Sequence, residues 1–136
     1  MDKYKLIGIS EEKPRVEEKH GNFHRKVFFA PDVTGNKNLT VRISKLLPGS
    51  DGPVHKHAGE QMAYTLKGVL EIELDGRKYR LTPGTFSLIP PNKYHPGRVV
   101  SDEPWEAIIV SCDRCRLIKE YTSLRFETDS EVKQSK

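Results

Sequence analysis

The stretch HKHAGEQ puts His55 and His57 one residue apart, with Glu60 and Gln61 close behind. In an extended segment, residues i and i+2 project from one face, so the two imidazoles stand together about 7 Å apart along the backbone. Side chains so placed can converge on one divalent ion, for which neutral imidazole is a good ligand. Taken alone the pair says little, because two exposed histidines on a strand are common. A third histidine, His95, follows Pro90-Pro91-Asn92, which forces the backbone round just before it. Glu60 and Gln61 then compete to complete the set.

The elements that must hold these residues are short. Apolar runs of strand length, RKVFFA, NLTVRISKLL, QMAYTLKGVLEIEL, RKYRLT, TFSLIP, GRVVS and WEAIIVS, alternate with turn-rich segments such as PDVTGNKN, PGSDGP, TPGT and PPNKYHPG. Strand-length runs punctuated by Gly, Pro, Asn and Asp every 8 to 12 residues or so predict an all-β sandwich or barrel. Asp75-Gly76 is a two-residue hairpin turn. Nine prolines spread along the chain argue against long helices. Residues 1–22 read as a charged N-terminal arm, 23–118 as the barrel, and 119–136 as a partly flexible C-terminal extension. The periodicity of RLIKEYTSLRF is ambiguous between helix and strand.

Length and composition bound the rest. The chain's 136 residues suffice for one domain. With 35% apolar and 31% charged residues it should fold around a thin core under a wet surface. No apolar run approaches the roughly 20 residues that span a bilayer, and the N-terminus lacks a signal-like stretch, so a cytoplasmic protein is expected. The net charge of +4 comes from scattered Lys and Arg, with no basic block and no interleaved aromatics, which argues against nucleic acid. Cys112 and Cys115 form a single C-x-x-C. One pair is too few for a zinc ribbon, and no βαβ pattern surrounds it, so a reduced, structurally minor pair is expected.

Spacing along the whole segment narrows the reading. Gly49-x5-His55-x-His57-x3-Gln61-x6-Gly68, followed by Gly84-x5-Pro90-x-Asn92-x2-His95, resembles the two motifs of the cupins. Gln61 stands where those motifs usually have Glu, Asn92 where they have Gly, and Val99 where they have Asn. The resemblance implies a single-domain cupin jelly roll, a double-stranded β-helix with a metal inside the barrel mouth. It also implies the ligands His55, His57, Gln61 and His95. Glu60 misses the motif spacing at both ends, and a one-residue shift sends a strand side chain to the opposite face. Glu60 therefore belongs outside the site or behind it.

Three imidazoles and an amide leave the charge of a divalent ion uncompensated, which favours Lewis-acid chemistry on an anionic or carbonyl substrate. Zn, Ni, Co or Fe suits such ligands, and Mn less so. Gln61 also removes an obvious carboxylate base, which disfavours dioxygenases that need one. The pattern resembles the uronate-processing cupins of pectin breakdown, which implies an isomerase or lyase acting on a sugar acid or keto acid. In those proteins the last barrel strand supplies an acid, an aromatic and an arginine. Here Val110 and Cys112 fall at the first two places, leaving Arg114 or Arg116 as the cation. A metal-dependent dioxygenase and a non-catalytic, ligand-binding sensor are the alternatives.

Alternation adds smaller expectations. If Gln61 points inward, Ala63 and Thr65 share its face, while Met62 and Tyr64 face away as packing residues. Arg42 is a pocket cation or a solvated strand charge, the second being the plainer reading. Trp105 belongs to the core or to a dimer contact. His20 and His24 fit neither motif and read as surface. The apolar Val27-Phe28-Phe29 is more than a free arm should expose, so a homodimer is expected, as the cupin resemblance also implies.

Overall fold

Each apolar run delimited above becomes a strand, and the long run QMAYTLKGVLEIEL becomes two. The computed structural model describes residues 6–51, 59–91, 93 and 95–112. His55, His57, Asn92, Arg114, Arg116 and Cys115 lie outside them, as does RLIKEYTSLRF. The strands are β1 (Val16–His20), β2 (Phe23–Phe29), β3 (Thr40–Leu46), β4 (Glu60–Lys67), β5 (Leu70–Leu74), β6 (Arg77–Leu81), β7 (Phe86–Ile89), β8 (Gly97–Val99) and β9 (Trp105–Cys112). A four-residue helix, α1 (Pro31–Thr34), interrupts the segment read as a turn, with Pro31 starting it.

All strand pairs are antiparallel. One sheet has six strands in the order β1-β2-β3-β9-β4-β7, the other three in the order β6-β5-β8. The last described strand thus lies between two strands much earlier in the chain. β1 arises inside the stretch read as an arm and pairs in full with β2, Val16 opposite Val27 and His20 opposite Phe23. Val27 and Phe28 are buried within the chain itself.

Two local devices make this path feasible. Asp75 and Gly76 both have positive φ, 49° and 82°, as the tightest hairpin turns require, and they join β5 to β6. Gly68 sits where the chain leaves β4 of one sheet for β5 of the other. Its φ is +74°, and a Cβ there would lie 2.3 Å from the carbonyl oxygen of Pro104. Only glycine fits both the backbone conformation and the close approach of the Pro104-Trp105 segment.

Between the sheets lies the core, built from Leu46, Leu70, Ile72, Leu81, Val99 and Trp105 among others. Each such side chain, once buried, contributes roughly 1.5–3 kcal/mol. In β9, Trp105, Ala107, Ile109 and Ser111 are buried and alternate with Glu106, Ile108, Val110 and Cys112, which are half-buried on the other face. On that outer face Tyr64 packs against Phe86, ring centroids 4.3 Å apart, so Tyr64 is a packing residue. Among the described residues no helix is long and apolar enough to cross a membrane.

Candidate functional site

Alternation in β4 turns Gln61, Ala63 and Thr65 into the barrel and leaves Glu60, Met62 and Tyr64 half-buried on the opposite side. Gln61 is only 5% exposed. In register it stands between Ser111 of β9 and Ile89 of β7. Its Oε1 is buried and accepts no hydrogen bond among the described residues. Leaving such an acceptor unsatisfied costs about 1–3 kcal/mol, so folded chains rarely tolerate one without a partner of another kind.

His95 approaches from the other sheet, two residues before β8, and is buried. Its Nδ1 lies 2.9 Å from the carbonyl oxygen of Lys93. A carbonyl can only accept, so Nδ1 carries the proton and donates, which in the neutral ring puts the lone pair on Nε2. Ligating histidines are held in this way, one ring N–H tied to a carbonyl and the other nitrogen presented to the ion.

Gln61 and His95 line one cavity of about 300 Å³. The cupin resemblance implies a divalent ion at this place, and the donors fit one: an orphaned amide oxygen and an imidazole of fixed tautomer. Of the four ligands that the resemblance implies, these two are described. Among the described residues no three His, Cys, Asp or Glu side chains cluster to hold an ion on their own.

The same cavity collects two arginines. Arg42, for which the sequence favoured solvation, lines it, and its Nε–H donates to Ser44 Oγ at 3.4 Å. Arg25, which sequence reasoning did not single out, lines it too. Period-2 alternation in FHRKVFF would have found it, since Phe23, Arg25 and buried Val27 share a face. The Arg25 guanidinium lies 6.0 Å from the Phe23 ring centroid. Its Nε–H donates to Glu18 Oε1 at 2.8 Å, and a second guanidinium N–H donates to the same oxygen. This hydrogen-bonded pairing holds the Glu18 carboxyl below its ordinary pKa. The hydrogen bond to His24 does the same for Glu17. Among the described lining residues there is no carboxylate.

Trp105 lines the cavity, its Nε1–H donating to Thr65 Oγ1 at 3.2 Å. Cys112, at the end of β9 and opposite Glu60, is disulfide-bonded. This overturns the expectation of a reduced pair: a thiol at this strand end can form the bond without disturbing the ladder that precedes it.

Two antiparallel sheets face to face around a ligand-sized cavity define a double-stranded β-helix, the small jelly roll. The cupin domain model matches residues 42–111, just over half of the chain, and the protein belongs to that family. Its structure is similar to that of KdgF from Halomonas sp., with 25% identity, a TM-score of 0.62, and coverage of 78% of this chain and 93% of that one. An RmlC-like cupin from Shewanella frigidimarina NCIMB 400 shares the fold at 22% identity and a TM-score of 0.65, over 84% of this chain and 96% of its own. In sequence, 46 residues are 39% identical to part of YobQ, an HTH-type transcriptional regulator of Bacillus subtilis (strain 168). That segment is 34% of this chain but only 19% of the regulator.

Proposed function

We propose that the protein is a divalent-metal-dependent enzyme acting on a small oxygenated anion such as a sugar acid or keto acid, in an isomerase or lyase type of reaction. The observation that carries this reading is the buried, unsatisfied Oε1 of Gln61 on the wall of the cavity that His95 also lines. His55, His57, Gln61 and His95 would hold the ion, which when bound supplies a Lewis acid for a carbonyl or carboxylate oxygen. The chain's own residues do the rest. Arg42 and Arg25 offer guanidinium donors to an anionic group. Lys93, through its carbonyl, fixes the ring of His95. The apolar side chains that line the cavity, Trp105 among them, would disfavour water beside a bound substrate.

Metal analysis of tag-free protein beside His57→Ala tests this. Near-stoichiometric metal in the wild type and its loss in the variant are expected. No metal in either protein, after divalent ions are added back, would overturn the reading.

A second reading, a ligand-binding sensor without turnover, is favoured by two observations. No described lining residue is a carboxylate that could move protons. A 46-residue segment is also similar to part of an HTH-type transcriptional regulator, of which it covers 19%.

A further inference from the structure

We infer that the cavity selects carboxylic acids with an apolar body, specifically branched-alkyl or aryl 2-oxo acids, over polyhydroxylated sugar acids. This rests on the small-anion reading above and narrows it.

The polar described lining residues of the cavity are Arg25, Arg42, Ser44, Gln61 and His95. Arg25 and Arg42 come from neighbouring strands. Arg25 stands opposite Ser44, two residues from Arg42, which makes the two arginines diagonal neighbours with Cα atoms about 7–8 Å apart. Arg25 gives two of its N–H groups to Glu18, and its remaining donors together with those of Arg42 can flank one carboxylate. Gln61 lies two strands away, through β9, and one inward-facing position nearer the strand end that holds Ser111. With about 4.8 Å between strands and 3.4 Å per residue, Gln61 and Arg42 are about 12 Å apart at Cα. A 2-oxo acid has oxygens at the right scale to address both ends, its carboxylate toward the arginines and its oxo oxygen, an acceptor, toward the amide N–H donors of Gln61.

The rest of the described lining is largely hydrocarbon. Phe23, Leu46, Ile72, Leu81, Trp105 and Ile109 all line the cavity. Ser44 is the one hydroxyl among its described lining residues. A sugar ring would bury several hydroxyls against that wall, and each left without a partner weakens binding about tenfold or more. An isobutyl or phenyl group buries apolar surface there at no such cost. A volume of about 300 Å³ is at the low end of ordinary ligand sites, which suits a molecule of this size.

Trp105 is the only tryptophan in the chain and lines the cavity, so its emission reports occupancy directly. The as-isolated protein is titrated with 4-methyl-2-oxopentanoate, pyruvate and galacturonate by Trp105 fluorescence and by calorimetry. The first is expected to bind at least tenfold tighter than either of the others and to change the emission. Arg42→Met, checked for an unchanged circular dichroism spectrum, should weaken it at least tenfold. Galacturonate binding as tightly as 4-methyl-2-oxopentanoate overturns the inference, and this ranking on the wild-type chain is independent of any variant. Repeating the series after chelation separates the two proposals. Selectivity that survives in a protein that never takes up metal upholds this inference and sinks the metal-dependent enzyme. Stoichiometric metal with a preference for galacturonate does the reverse.

Discussion

The indole N–H of Trp105, a residue of the cavity wall, donates to the hydroxyl of Thr65 at 3.2 Å, joining residues 40 apart in the chain. Thr65 is fully buried, so no water replaces its oxygen as acceptor. Thr65→Val keeps the shape and strands the indole N–H, which should cost about 1–3 kcal/mol in urea unfolding. Thr65→Ser keeps the acceptor and should lose less of it. Equal losses for Ser and Val would mean that packing, not the hydrogen bond, dominates here.

Gly68 couples a left-handed backbone to a close approach. In Gly68→Ala the added methyl meets the Pro104 carbonyl in a conformation that alanine already resists. A destabilisation of about 3 kcal/mol or more is expected, read as a lowered denaturation midpoint at unchanged slope. A loss near 1 kcal/mol would mean that Pro104 yields easily.

Gln61 can be tested in two directions. Gln61→Leu removes the orphaned acceptor, so the metal-free protein should gain about 1 kcal/mol while metal binding is lost. Gln61→Glu adds a charged oxygen and should bind a divalent ion more tightly than the wild type. Calorimetric titration with zinc, together with thermal melts of the stripped proteins, reads both. A Leu variant that binds zinc like the wild type would remove Gln61 from the ligand set.

Acid should loosen the β1–β2 pairing first. Glu17 and Glu18 have pKa values lowered in the folded chain from the ordinary 4.5, by hydrogen bonds from His24 and Arg25 respectively. Their contribution is complete above that value and is lost as pH falls below it, through the folded-state values. Glu17 is exposed and Glu18 only half-buried, so the effect should be local and small. Amide exchange at β1 should quicken below pH 4.5 in the wild type. In Glu18→Gln it should already be faster at neutral pH and change less on acidification.

Much of the fold was legible because it is local. The alternation in WEAIIVS and QMAYTL states which residues face inward, and Asp75-Gly76 and Gly68 state where the chain must turn. That same alternation separated Gln61 from Glu60. Other features were not local. β1 looked like a charged arm because VEEKH has almost no apolar residue, and only its pairing with β2 makes it a strand. Arg42 looked solvated because a lone arginine on a strand usually is.

By itself, then, the sequence determined β2 to β9, most of their inward faces, the hairpin turn and the motif that marks the cupin family, all of which follow from neighbouring residues. Tertiary structure alone decided that β9 enters between β3 and β4, setting Ser111 beside Gln61 and Trp105 within reach of Thr65. It also decided that β2 packs on β3, bringing Arg25 and Arg42 to one wall. The physical reason is that a period-2 pattern encodes which face of a strand is buried but not which strand lies next to it. That choice is made by the burial and hydrogen bonding of the whole barrel at once.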